Sequence, residues 1–235
     1  MLIHTKLAPH FKGFVFPTEI IMSTIYMKCR FSLSYRDIEE LCQMRGITVD
    51  HATIQRWVIR FTPLLDKQFR RNKKPVSSSW RMDETYIKVR GKWKYLYRAV
   101  DKHGETIDFL LRAKRDKIAA QAFFRKAIKQ HGKPEKVNID KSGANISALT
   151  SFNKEYTDNN EDEIEIRQNK YLNNRIEGDH RFIKRITRPM LGFKSFASAR
   201  ITIAGIELVN MIRKNQLSTK NNSSNYDKFT SLLCV

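Results

Sequence analysis

Trp80–Arg112, WRMDETYIKVRGKWKYLYRAVDKHGETIDFLLR, decides the reading of the fold. Three runs rich in β-branched and aromatic residues (80–89, 92–101 and 105–112) are separated by Arg90-Gly91 and His103-Gly104. Such residues favour a pleated, half-buried surface, and short glycine-containing breaks join antiparallel strands. The stretch therefore predicts a three-stranded meander. Beyond it, Asp116 reads as the N-cap of a helix with Ala119, Ala122, Phe123 and Ala127 on one face, stopped by Gly132-Lys133-Pro134. KVNID (136–140) is a fourth strand, and Ser142–Asn145 turns into a second helix. A polar loop over 157–162 precedes a fifth strand, EIEIR (163–167), and helices over 171–186 and 195–214 flank a break at Pro189. The order βββαβαβαα is that of an α/β, ribonuclease-H-like (integrase-type) fold, expected over 77–217 with a polar tail at 218–235.

On the N-terminal side the pattern changes to helical. A mostly apolar helix begins at Thr18, with Ile20, Ile21, Thr24 and Ile25. Ser34 and Asp37 form a capping-box signature ahead of Ile38, Leu41 and Cys42. Arg45-Gly46-Ile47 is a tight turn, and Asp50 is the next N-cap. Ile54, Trp57, Val58 and Phe61 then follow at i, i+3, i+4 and i+7. Helix, short turn, helix is the outline of a DNA-binding helix-turn-helix, expected over 1–66. His51, Thr53, Gln55, Arg56 and Arg60 lie on its outward face and are candidates for contacts to bases and phosphates. A plain helical hairpin with a solvated face has the same pattern. Lys67–Pro75, KQFRRNKKP, reads as a basic linker over 67–76.

The charge balance bears on the partner. The 235 residues carry 44 Lys plus Arg against 24 Asp plus Glu, a net +20. Like charges repel, so this excess contributes nothing to folding and points to a polyanion. No apolar run reaches the ~18 residues that span a bilayer, and MLIHTKLAPHFKG lacks the apolar core of a signal peptide. Nucleic acid is therefore the expected partner, with no membrane association. Cys29, Cys42 and Cys234 form no disulfide framework, which fits a reducing cytoplasm. Cys29, Cys42 and His51 match no zinc spacing, so core packing accounts better for the first two.

Three carboxylates occupy telling places: Asp83 within the first strand, Asp140 ending the fourth, and Glu177 on the helix after the fifth. In a ribonuclease-H-like sheet these places converge. Carboxylates brought together repel, and a divalent cation relieves the repulsion. Mg²⁺ favours few carboxylates together with water and phosphate oxygens. Two such ions ~3.5–4 Å apart serve both the attacking and the leaving oxygen of a phosphodiester. Any one of the 24 acids alone is an ordinary surface residue, so the argument rests on the three together. Strand alternation puts Glu84 on the opposite face from Asp83, and Asp179 lies ~200° round a helix from Glu177. Neither is expected in the site. Asn173, His180 and Arg181 share the Glu177 face, either as contacts to DNA or metal-bound water or as ordinary helix surface.

MDETY, VNIDKSGAN and KYLNNRIEGDHRFIKRITRPMLGF resemble the DDE transposases of bacterial insertion sequences, in particular the IS-six-type family. So do FKG (11–13), LSYRDIEEL, VDHATIQRWV, GKWKYLYRAVDKHG and ITIAGIELVNMIRK. The resemblance runs from Phe11 to Gln216; the first ten residues and the tail match no pattern of the family. It implies that Asp83, Asp140 and Glu177 are catalytic and metal-binding, with two Mg²⁺ ions that Mn²⁺ replaces. It also implies that Lys184, seven residues after Glu177, is a further catalytic residue. The 36 residues between Asp140 and Glu177 (141–176) slightly exceed the family's usual spacing, and the excess falls in the Asp158–Asp162 loop. By resemblance, the activity is metal-dependent cleavage and strand transfer at terminal inverted repeats, giving cointegrates. The partners are double-stranded DNA, as element ends and target, and further copies of the chain in a homo-oligomer. The rival readings are a structure-specific nuclease and a decayed transposase that acts only as a DNA-binding repressor.

Overall fold

The computed structural model describes residues 11–219 and 223–233; the expectations about the first ten residues and Cys234 lie outside them. The chain divides into two compact units, Pro75–Phe182 and the described parts of Met1–Lys74 with Ile183–Val235.

Pro75–Phe182 is built on a five-stranded sheet of order β3-β2-β1-β4-β5. Strands β1 (Ser79–Val89), β2 (Lys92–Asp101) and β3 (Thr106–Arg112) form the expected antiparallel meander. Arg90 and Gly91 both have positive φ, as a two-residue hairpin turn with the twist of its strands requires. Strands β4 (Lys136–Asn138) and β5 (Glu165–Arg167) are shorter than the runs that suggested them, and both are parallel to β1. Parallel neighbours need crossovers. Helices α4 (Lys117–His131) and α5 (Gly143–Asp158) supply them, bracketing β4. Asp116 caps α4 by accepting from the Ala119 amide. Trp80, Met82, Tyr97, Phe123, Phe124, Val137, Leu149 and Phe152 form the core on that side. This is the ribonuclease-H-like architecture, completed by α6 (Lys170–Thr187).

The second unit contains α1 (Thr18–Arg30), α2 (Tyr35–Gln43), α3 (His51–Arg71), α7 (Phe196–Arg213) and α8 (Asn225–Ser231). Ser34 and Asp37 make the reciprocal capping box of α2, and the Asp50 carboxylate accepts from the Thr53 amide at the start of α3. Gly46, at φ 72°, makes the turn between them, where a Cβ would be strained. Ile54, Trp57, Val58 and Phe61 are buried as their spacing required.

Three boundaries differ from expectation. The presumed linker is largely helix: α3 runs to Arg71 because Leu65 and Phe69 continue its apolar face, both fully buried among basic neighbours. The polar tail contains α8, capped by a second Ser–Asp box, Ser224 with Asp227, and Phe229 anchors it. Helix α7 groups with the N-terminal unit rather than with the sheet. There Gly205 lies against the Cys29 sulfur, so that a Cβ on it would collide. Lys74 also donates its amide to the Gln216 carbonyl at 2.8 Å, tying the end of α3 to the segment after α7. Cys29 and Cys42 are free and buried, and packing is their role.

Candidate active site

Strand β1 carries Asp83 and Glu84 at its centre, opposite Arg98 and Tyr97 of β2. On its other edge β4 pairs only with Ser79–Arg81, so that edge is unflanked from Met82 onward. Asp140 stands two residues past the end of β4, beside this opening. Carboxylate oxygens of Asp83, Glu84 and Asp140 lie within 4.8 Å of one another.

Glu84 is thus a correction. Alternation does turn it away from Asp83, but where no strand flanks β1, Asp140 reaches side chains from both faces. Glu84 is 9% exposed and accepts from Asn145 Nδ2 at 3.1 Å and from Arg115 Nη2 at 3.2 Å. The same Arg115 nitrogen donates to Asp140 Oδ2 at 3.0 Å, and Asn145 Nδ2 stands 3.4 Å from Asp140 Oδ1. Arg115 and Asn145 therefore bind Glu84 to Asp140. Sequence reasoning missed both roles; the only signal was the position of Arg115 beside the Asp116 cap.

The electrostatics follow from this crowding. Burial pushes the Asp83 carboxyl up to about 7. A hydrogen bond to the Glu84 backbone opposes the rise, and the charges of Glu84, Asp140 and Glu177 add to it. Burial also raises Glu84, against the pull of Arg115 and Asn145. The buried Asn145 Oδ1 has no hydrogen-bond partner. Clustered hard oxygen donors, one of them costly to ionise, form a set that suits a divalent cation.

Glu177 lies on α6 outside the 4.8 Å group; it is exposed and acts on Asp83 through its charge. Its helix is held from beneath. Asp179 Oδ2 accepts from the fully buried Arg98 at 2.6 Å, joining α6 to β2. Asn138 at the end of β4 donates to the Asn169 carbonyl at 3.0 Å and to Asn173 Oδ1, fixing the start of α6. Asn173 is therefore spent on this clamp. His180 is buried with Nδ1 3.7 Å from Asp83 Oδ2. Of the three residues on the Glu177 face, Arg181 alone is exposed. Lys184 lies further along the same helix, half-buried.

On α3, Gln55 and Arg56 are exposed. His51 Nδ1 is 2.8 Å from Glu39 of α2. Thr53 Oγ1 donates to Asp50 at 2.6 Å and accepts from Arg56 at 2.7 Å. Arg60 covers the Phe14 ring at 4.9 Å, an aromatic contact in addition to its expected outward position. No helix among the described residues is long and apolar enough to cross a membrane.

A family model described as a DDE domain matches residues 77–216, and one described as the IS66 transposase family matches 13–132. The chain is 40% identical over 211 residues to the transposase for insertion sequence-like element IS431mec of Staphylococcus aureus, covering 89% of this chain and 91% of that one. The match to the transposase for element IS257 in transposon Tn4003, also from Staphylococcus aureus, has the same identity and coverage. Among solved structures, the HTLV-2 integrase catalytic core domain in complex with magnesium aligns over 66% of this chain and 98% of its own, at 18% identity and TM-score 0.45. The catalytic core domain of BIV integrase aligns over 66% and 95%, at 15% identity and TM-score 0.44.

Proposed function

The chain belongs to the DDE transposases of insertion sequences, and from that premise we propose that it cuts and joins DNA at the ends of its own element. Two displacements at phosphorus make up the reaction. In the first, water attacks the phosphodiester at the element end, and the bond to the 3′-oxygen breaks, freeing a 3′-hydroxyl. In the second, that hydroxyl attacks a target phosphodiester, whose own 3′-oxygen leaves with the proton. The products are joined strands, and cointegrates follow when both ends react.

Asp83 and Asp140, with Glu177, would hold two divalent cations, Mg²⁺ by the hardness of the oxygen donors, with Mn²⁺ able to replace it. When bound, such cations activate the attacking oxygen and stabilise the leaving one. The chain supplies position. The Arg98–Asp179 pair and the Asn138–Asn173 clamp hold the helix of Glu177 against the sheet. Lys184, on that same helix, offers a point charge to a phosphate near the reacting bond. The helix-turn-helix of α2 and α3 presents Gln55 and Arg56, with His51, Thr53 and Arg60 beside them, to the terminal inverted repeat. An enzyme that joins two ends acts as an oligomer on DNA.

The observation that carries this reading is the approach of Asp83 and Asp140, distant in sequence, at the unflanked edge of β1. A strand-transfer assay with pre-cut ends and Mg²⁺ tests it. Wild-type protein joins ends to target. Asp83→Asn, Asp140→Asn and Glu177→Gln each bind ends but neither cut nor join. Cutting without joining would make the chain a nuclease, and binding alone would make it a repressor. Near-normal joining by any one of the three variants would overturn that residue's assignment.

A further inference from the structure

The far end of the β1–β2 hairpin exposes an aromatic face that the catalytic reading leaves unused. Tyr86 is 51% exposed and Trp93 60%, on a sheet whose other large aromatics are mostly buried. Tyr86 stands opposite Tyr95 and Lys88 opposite Trp93, so all four side chains share one face. Tyr95 in turn stands opposite Arg112 of β3. The rings touch: Tyr86 to Tyr95 at 5.5 Å between centroids, and Tyr86 to Trp93 at 6.3 Å. On the reverse face of the same strand, Ile87 and Val89 are buried.

Two further observations indicate what would cover this face. Of the cations near these rings, Lys88 stands on the same face, opposite Trp93, and Arg112 stands opposite Tyr95, whereas Lys92 and Lys94, opposite Val89 and Ile87, belong to the reverse face. A protein or lipid partner would explain exposed aromatics alone; aromatics bordered by Lys88 and Arg112 fit a nucleic-acid strand, whose bases stack and whose phosphates pair. The face is also continuous with the acidic cluster. Glu84 lies two residues before Tyr86 on the same side of β1. A DNA strand leaving the carboxylates along β1 would meet Tyr86 first and Trp93 next. In an intact duplex the base faces are covered by their neighbours, so stacking on exposed rings requires bases that have left the helix.

We propose that Tyr86, Trp93 and Tyr95, with Lys88 and Arg112, form a docking surface for an unpaired stretch of DNA strand next to the bond being cut. The surface would hold the strand end open beside the carboxylates, a step that a duplex-reading helix-turn-helix does not provide. This inference rests on the DNA-cutting reading above.

Trp93 provides its own probe. The other two tryptophans, Trp57 and Trp80, are each 2% exposed, so a base that stacks on the protein surface quenches Trp93 alone. The experiment titrates the full chain, in chelator, with an oligothymidylate and separately with a fully paired duplex carrying the element end. The expected result is quenching by the oligothymidylate that is absent from Trp93→Ala, with affinity for it falling about tenfold in Trp93→Ala and in Tyr86→Ala. Trp93→Phe keeps most of the affinity, and all three variants bind the duplex as wild type does. Duplex binding with no quenching of Trp93 by the oligothymidylate, or unchanged oligothymidylate affinity in both alanine variants, would overturn the inference while leaving the DNA-cutting reading intact. A changed sedimentation coefficient in Trp93→Ala with unchanged DNA binding would also overturn it, marking the face as a contact between copies of the chain. Failure to bind either DNA would bring down the broader reading with it.

Discussion

Arg115 holds Asp140: its Nη2 lies 3.0 Å from Asp140 Oδ2, and the same nitrogen reaches Glu84 Oε2 at 3.2 Å. A fixed cation thus lies against a carboxylate assigned to a mobile one. It reduces the repulsion between Glu84 and Asp140, and a divalent ion bound at Asp140 as proposed would have to compete with it.

Arg115→Gln should therefore change two quantities in opposite senses. In chelator the variant melts at a lower temperature than wild type, because the carboxylates lose their counter-ion. Mn²⁺ affinity, measured by calorimetry without DNA, rises by roughly fivefold or less, the equivalent of up to about 1 kcal/mol for a partly exposed charge pair. Weaker Mn²⁺ binding by a folded variant would make Arg115 an aligner of Asp140 instead of its competitor.

The unequal legibility of the chain has a physical basis. Caps are local: Ser34 with Asp37, Asp50 with Thr53, and Asp116 with Ala119 each lie within one turn, and each was readable from residue type and spacing. The hairpin turn at Arg90-Gly91 is equally local. The place of Glu84 depends on where β4 stops, and that is set by a neighbour over fifty residues away in sequence. Basic residues around Phe69 concealed the continuation of α3, because a linker and the solvated face of a helix have the same composition. The Ser224–Asp227 box was present in the tail but is preceded by the polar run STKNNS, which reads as unstructured chain.

Arg56 tests recognition. Its guanidinium is held by Thr53, which is itself fixed by Asp50, so the side chain is partly organised before it meets DNA. Arg56→Ala should lower affinity for the inverted repeat more than for random duplex, since a specific base contact contributes about 1–3 kcal/mol. Thr53→Val should give a smaller loss in the same direction by releasing the guanidinium. Equal losses on both DNAs in a gel-shift assay would make Arg56 a phosphate contact.

Lys184 lies two turns beyond Glu177 on the unbroken helix α6. Lys184→Ala should slow strand transfer at saturating DNA and Mg²⁺, and Lys184→Arg should recover part of the rate, since charge survives while geometry changes. A melt excludes misfolding. A surface lysine without this role would leave both variants within about 0.5 kcal/mol of wild type in stability and unchanged in rate. That result would leave the carboxylates as the only assigned catalytic groups.

Asp83 should make the metal-free protein sensitive to pH. Its carboxyl is raised from an ordinary value of 3.8 to about 7 in the folded chain, chiefly by burial. Between those values the native state binds a proton that the unfolded state has released. The stability that Asp83 contributes is therefore fully present below pH ~4 and is lost as pH rises through ~7, after which the loss is constant. In chelator, the melting temperature of wild type should fall between pH 5 and pH 8 relative to that of Asp83→Asn, whose amide does not titrate. The comparison with the variant removes what other titrating groups contribute; Asp37 and Asp50, held low by their helix caps, favour folding as pH rises only below about pH 4 and add no slope in this range. Parallel melting curves for the two proteins across this range would show that Asp83 ionises freely in the folded chain. The crowding of the carboxylates would then carry no electrostatic cost for a metal ion to relieve.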